Sequence, residues 1–216
     1  MIAVFVLSAV TSLEAQSTSP RRRRETNANR RARIERTIQD TYSHKWEVAG
    51  GGGYLRFRSG ENLQKNNEVT FFLSSTYFLN PKFGILGQVS GAYGHGKVGN
   101  TIYNIQNPQI SQYYFNVGPA YRFYKKEKYA ATVFGTVGAG IGKFDSGSKG
   151  IPAANLGLWD SQTRTVFSAG VNLDYNMYPN LALRVTPTYL GSTWGSTIQN
   201  NVGVNMGVVY RFGRIK

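Results

Sequence analysis

Residues suited to acid–base, nucleophilic or metal chemistry are few in this chain. It has two histidines, His44 and His95, and no cysteine in 216 residues. Neither histidine stands at a spacing from another ligand that would suggest a metal site. No Gly-x-Ser-x-Gly elbow occurs, and the run Gly50 to Gly53 is not followed by the Lys-Ser/Thr pair and helix of a phosphate loop. The sequence therefore predicts no catalytic residue, no metal and no cofactor.

A different set of ionisable residues emerges when the chain is divided into strands. Successive side chains of a strand point to opposite faces, and five ionisable residues fall on the predicted inner face. In the topology set out below, all five lie towards one end of the fold. Buried charges cost several kcal/mol each unless they are paired and hydrogen-bonded. We therefore predict one interior network that acts as a structural plug, with an ion gate as the alternative, formed by Glu47, Arg122, Asp174, Arg184 and Arg211.

The stretch from Gln112 to Phe123 shows which kind of strand is involved. Apolar and polar residues alternate along it with a period of two, which indicates a β-strand. Its apolar face carries aromatic residues at both ends, and aromatic rings favour the two interfaces of a membrane. The apolar face is formed by Tyr113, Phe115, Val117, Pro119, Tyr121 and Phe123.

The same pattern recurs along the chain. The predicted strands exceed the ~9–11 residues that cross a bilayer at a tilt. The fold class is therefore all-β, an eight-stranded antiparallel up-and-down transmembrane β-barrel over residues 46–213. The strands are predicted at Trp46–Arg58, Glu68–Asn80, Phe83–Gly96, Ile110–Tyr124, Tyr129–Phe144, Thr163–Tyr178, Leu181–Thr193 and Asn200–Phe212.

Short and long connections alternate between these strands, as in outer-membrane barrels with short periplasmic turns and longer external loops. This places both termini in the periplasm and the loops 97–109 and 145–162 outside. Loop 145–162 carries Leu156, Leu158 and Trp159. These three are candidates for exposed contacts with an extracellular partner, although packing of the loop on itself is favoured.

The segment before the barrel is basic. Residues 1–15 are predicted to be a signal peptide, because they are apolar and end in small residues. Residues 16–45 form a periplasmic arm that is disordered over 17–29 and then forms a short amphipathic helix over Arg30–Tyr42. The net charge of +14 favours anionic partners. For the arm these are lipid headgroups or an envelope polymer, although a solvated tether is favoured; nucleic acid is not expected.

The chain resembles the small outer-membrane β-barrel family, the OmpA/OmpX-like and opacity-protein-like group. The residues that carry the resemblance are the turn Asn80–Phe83, the stretch Asn116–Phe123 and the ending Gly207–Gly213. The resemblance implies the barrel fold and an outer-membrane location. Many members stop at a terminal aromatic residue, whereas Phe212 here is followed by residues 213–216.

The function predicted from these patterns is that of a non-enzymatic, monomeric outer-membrane barrel with an envelope-structural or surface-interaction role. Its partners would be outer-membrane lipids and lipopolysaccharide. A lipid A-modifying enzyme is one alternative, but it needs a Ser/His pair that the sequence does not offer. A small pore is disfavoured by the plug, and a soluble ligand-binding barrel by the apolar exterior.

Overall fold

The computed structural model describes residues 26–98, 105, 107–146, 148–195 and 198–215. The predicted signal peptide, residues 16–25 of the arm and part of loop 97–109 lie outside these ranges. The described elements are the helix α1 (Asn27–Tyr42), a short 3-10 helix (Ala153–Leu156) and eight strands. The strands are β1 (Trp46–Arg58), β2 (Lys65–Phe78), β3 (Phe83–His95), β4 (Gln109–Lys125), β5 (Tyr129–Ser146), β6 (Gln162–Tyr178), β7 (Leu181–Ser192) and β8 (Gln199–Phe212).

The strands form a closed antiparallel barrel in sequence order, with β8 paired to β1. The predicted fold class is confirmed, and β1 has the predicted bounds. The largest difference is β2, which begins at Lys65 rather than Glu68 and ends at Phe78 rather than Asn80. Pairing with β1 explains the earlier start, because Arg58 lies opposite Lys65 in the ladder.

The outer wall of the barrel is apolar and exposed. Val69, Leu73, Val117 and Met206 are all more than half exposed, which in water would make a very large apolar patch. A bilayer removes that cost, because lipid tails are the solvent for this surface. Aromatic pairs mark both margins of this wall, among them Trp46–Tyr77, Phe83–Tyr121, Tyr129–Tyr175 and Tyr93–Tyr113.

The two ends of the barrel differ. We call the end that holds both termini and the short turns the terminal rim, and the opposite end the loop rim. α1 precedes β1 and therefore lies at the terminal rim. Among the described residues, no helix has the length and apolarity needed to cross a membrane.

α1 is longer than predicted. It begins at Asn27 because the side chain of Thr26 accepts a hydrogen bond from the backbone N–H of Asn29 at 3.4 Å, which is an N-cap. Asn27 to Asn29 are therefore helical, and the prediction that these three residues are disordered is wrong. The helix ends at Tyr42, where the backbone N–H of Ser43 still bonds the carbonyl of Gln39 at 3.0 Å.

Candidate functional site

The structure brings all five predicted interior charges together at the terminal rim. Neighbouring strands supply two pairs, because Glu47 lies opposite Arg211 in the β1–β8 ladder and Asp174 lies opposite Arg184 in the β6–β7 ladder. Arg122 reaches Glu47 from β4, across the lumen. The alternation of side chains puts all five inside, and each is at most 3% exposed.

Each carboxylate receives several charge-assisted hydrogen bonds. Glu47 Oε1 accepts bonds from Arg122 Nη2 and from Arg211 Nε at 2.8 Å, and Glu47 Oε2 accepts one from Arg184 Nη2 at 2.9 Å. Asp174 is held by Arg184 through Nε at 2.6 Å and Nη2 at 2.8 Å, and by Arg211 Nη2 at 2.9 Å. All four carboxylate oxygens are therefore satisfied, which a buried ion pair needs in order to offset its desolvation.

The network carries one more arginine than carboxylates. Arg122 accommodates this excess positive charge, because its guanidinium carbon lies 4.0 Å from the centre of the Phe78 ring and 5.0 Å from that of Tyr42. The negative faces of aromatic rings attract a cation at such distances. The Nε atom of Arg122 is buried without a hydrogen-bond partner, so Arg122 is the least satisfied member.

Tyr42, the last residue of α1, covers the charge network at the terminal rim and is only 2% exposed. Its hydroxyl donates to the carbonyl of Lys126 at 2.7 Å and accepts from Asn176 Nδ2 at 2.8 Å. Asn176 Oδ1 in turn accepts from Arg211 Nη1 at 2.8 Å. Burial raises the pKa of the Tyr42 phenol, so the hydroxyl keeps its proton. We call the five charges together with Tyr42 and Asn176 the terminal plug.

The loop rim is closed by an apolar cluster, which we call the loop plug. Trp194 is fully buried at its centre, with ring centres 5.7 Å from Phe57, 5.6 Å from Phe144 and 5.9 Å from Tyr114. Such edge-to-face contacts add to the stabilisation from burial. The remaining buried members include Leu55, Val98, Ile105, Ile110, Ala153, Leu156, Leu158, Val166 and Leu190.

The prediction that Leu156 and Leu158 are exposed surface contacts is wrong. They are 2% and 4% exposed, because the 3-10 helix folds loop 145–162 inward onto the barrel mouth. Trp159 is half-buried against the same cluster, and its Nε1 donates to the carbonyl of Arg58 at 3.0 Å. The alternative of inward packing thus describes these three residues, which bury apolar surface that an exposed loop would leave in water.

Between the two plugs the lumen is lined by small polar side chains. Thr136 bonds Ser168 at 2.6 Å, and Thr186 donates to Asn172 at 2.8 Å. The cavities here have volumes of about 40 and 10 Å³, which is room for a few water molecules at most. Side chains therefore fill most of the lumen that the described residues enclose.

The sequence analysis missed Glu68, a sixth ionisable residue of the lumen. It is 1% exposed and accepts hydrogen bonds from Asn66 Nδ2 at 3.0 Å and from Gln112 Nε2 at 2.9 Å on both oxygens. None of the cations in the described ranges forms an ion pair with it. Glu68 is the first residue of the predicted strand Glu68–Asn80 and has the same strand parity as Thr70, so the alternation alone could have revealed it.

The two histidines lie at opposite ends of the barrel. His44 follows α1, where its Nδ1 lies 3.1 Å from the carbonyl oxygen of Thr41, and His95 is exposed at the last position of β3. No group of three or more metal-binding side chains occurs within the described ranges.

A family model described as an outer membrane protein β-barrel domain matches residues 4–212. No curated protein matches the chain. Among solved structures, Ail, the attachment invasion locus protein of Yersinia pestis, is 20% identical, with a TM-score of 0.53 over 79% of this chain and 99% of that one.

Two further structures are similar. Neisserial surface protein A is 14% identical with a TM-score of 0.57, over 78% of this chain and 97% of that chain. OprG of Pseudomonas aeruginosa is 12% identical with a TM-score of 0.51, over 80% and 98%. At these identities the structures share the fold alone, whereas the family match covers nearly the whole chain. This chain belongs to the outer-membrane protein β-barrel domain family.

Proposed function

We propose that this protein is a non-enzymatic, monomeric outer-membrane barrel with an envelope-structural and surface-interaction role. Its termini lie in the periplasm and its loop rim faces outwards. One observation carries this proposal: the lumen is closed at both ends by plugs that differ in chemistry. The described residues offer neither an open lumen nor a group of catalytic side chains. The loop rim is therefore the surface that we expect to contact partners.

The outer wall at the loop rim supports lipopolysaccharide as a partner. Arg56 and Arg58 point outwards from β1 above Tyr54, and Lys65 lies directly opposite Arg58 in the β1–β2 ladder. Two like charges opposite one another repel, so an anion between them is favoured. Arg58 and Lys65 border a groove of about 260 Å³ that Glu61, Ile198 and Asn200 also line. A phosphate group at the membrane surface has the matching charge.

Binding of purified lipopolysaccharide to the refolded protein tests this contact. Replacing Arg56, Arg58 and Lys65 by glutamine should weaken binding at least tenfold at low salt, with a smaller difference at high salt because exposed charges are screened. A matched control replaces Lys97, Lys149 and Arg164, which removes the same charge from elsewhere on the loop rim. Equal losses in both triple variants would contradict a defined contact.

An epitope tag tests the orientation. Lys149 and Gly150 are exposed at the tip of loop 145–162, with φ angles of 51° and 81°, so an insertion there disturbs no buried group. A tag between them should be detected by antibody on intact cells, whereas one placed after Gly213 should be detected only after the outer membrane is opened. The reverse pattern would refute the proposed orientation.

Measurements of ion conductance distinguish a purely structural barrel from a small pore. In a planar bilayer the purified protein should show no channel steps, since both plugs close the lumen. Regular single-channel steps in the unmodified protein would reject the non-conducting barrel and favour the pore.

A further inference from the structure

A marked depression in the apolar outer wall spans strands β1 to β4. Its floor is a row of residues in register, because Val48 pairs with Ser75, Ser75 with Gly87, and Gly87 with Val117. Ser75, which has a small side chain, and Gly87, which has none, lie in the middle of this row. Residues two positions towards the loop rim form the wall on that side, namely Leu73, Val89 and Phe115. The groove has a volume of about 620 Å³, which is within the range of ligand pockets.

The groove is open space that a side chain at position 87 could occupy. A Cβ atom added at Gly87 would meet no atom closer than the Ser75 carbonyl oxygen at 4.0 Å. Glycine is therefore not needed there for close strand packing, in contrast to Gly138, where a Cβ would collide with the backbone of Phe115. A larger residue at position 87 would fill the groove without straining the barrel.

A polar anchor lies next to the groove, on the side of the terminal rim. The next row of the wall contains Trp46, Tyr77 and Ile85, and the Nζ atom of Lys45 lies 5.1 Å from the centre of the Tyr77 ring. Tyr77 is two residues from Ser75, a distance of roughly 7 Å along the strand. A cation at this margin, held over the Tyr77 ring, suits the phosphate of a membrane lipid.

We propose that this groove is a specific phospholipid site, with one acyl chain lying over Gly87 and Ser75 and the phosphate at Lys45. The apolar lining matches the acyl chain, and Lys45 beside the groove matches the anionic head. Both parts are required, because an apolar groove alone would not distinguish one lipid from the surrounding bilayer. The site is inferred from the residues of the barrel wall alone. Its place in the inner leaflet of the membrane rests on the proposed orientation, in which the termini are periplasmic.

The test is retention of phosphatidylglycerol by the full-length folded protein, measured by native mass spectrometry from detergent micelles at equal lipid concentrations. The unmodified protein should retain one lipid per barrel. Gly87→Leu should reduce the retained fraction at least fivefold, and Lys45→Gln should do the same from the head-group side. The matched control is Gly135→Leu, because Gly135 also points outwards on β5, has no atom within 4 Å of an added Cβ and lies outside the groove.

Folding of each variant is checked by its mobility in a gel without heating, so that a lost lipid is not confused with a lost barrel. Equal retention by Gly87→Leu and Gly135→Leu, or no lipid on the unmodified protein, would overturn the proposal. A protein dimer that Gly87→Leu dissociates would also overturn it and assign the groove to a second copy. None of these results depends on the loop-rim contact with lipopolysaccharide or on the orientation test, so the two proposals can fail separately.

Discussion

The charge count of the terminal plug predicts that substitutions of its members destabilise the barrel by unequal amounts. Three arginines and two carboxylates leave an excess of one positive charge, so removing a carboxylate and removing an arginine shift the balance in opposite directions. Glu47 and Arg122 share one direct bond, which makes them the informative pair. Glu47→Gln and Arg122→Met both break that bond, but the first doubles the excess charge and the second cancels it.

The magnitudes follow from the contacts. Glu47 is bonded by three arginines, and its neutral amide would leave those cations facing one remaining carboxylate. Breaking a buried pair in this way costs about 3–5 kcal/mol of unfolding free energy. Arg122→Met loses a bond to a charged group, worth roughly 1.5–3 kcal/mol. It recovers part of this because the unpartnered Nε disappears and the methionine still packs on Phe78. The expected order is therefore Glu47→Gln far worse than Arg122→Met.

Urea unfolding in phospholipid vesicles, followed by tryptophan fluorescence and by gel mobility without heating, measures both variants. Arg56→Met serves as the control, because Arg56 is an exposed arginine on the same strand as Glu47 and should change stability by less than ~0.5 kcal/mol. The double variant should cost less than the sum of the two single ones, since it restores the original excess charge. If Arg122→Met destabilises the barrel as much as Glu47→Gln, the charge-balance reasoning is refuted.

Three further predictions concern the two plugs and the buried carboxylate Glu68. Tyr42→Phe removes the bonds to Lys126 and Asn176 but keeps the ring, so it should cost about 1–2 kcal/mol and make α1 more sensitive to protease; an unchanged digestion pattern would show that the hydroxyl does not hold the helix. Trp194→Ala should destabilise the barrel by about 3–5 kcal/mol and expose the lumen to a polar quencher from the loop side, whereas unchanged stability would mean that the loop plug is not a packed core. Glu68→Gln should change stability by less than ~1 kcal/mol, because no described cation depends on that carboxylate, and a loss equal to that of Glu47→Gln would reveal an unseen partner.

The barrel wall could be predicted from the sequence because its pattern is local. Each strand must place apolar residues towards lipid and small or polar residues inside, so the alternation from Gln112 to Phe123 marks both faces directly. A residue such as Arg211 could therefore be assigned to the lumen with no knowledge of its partners. The start of β2 was harder to predict from the sequence, because Lys65 and Asn66 show no apolar alternation and their strand geometry depends on pairing with β1.

The loop and the arm could not be predicted in the same way. Leu156 and Leu158 are apolar whether they bind a partner or cover the barrel mouth, and only the fold shows that they pack in the same cluster as Trp194. Tyr42 has the same ambiguity, because its spacing of four residues from Ile38 and eight from Ile34 places it on the apolar face of the helix but does not show what that face contacts.

By itself, the sequence determined the strand count, the two faces of the wall and the presence of interior charges at one end, because these follow from a period of two and from the cost of exposing each residue to the wrong solvent. The tertiary structure alone decided which arginine meets which carboxylate, and that Tyr42 and loop 145–162 close the two ends. It also decided that Val48, Ser75, Gly87 and Val117 form one row. The physical reason is register: contacts across a closed sheet join residues that are distant in sequence, and no local pattern encodes those distances.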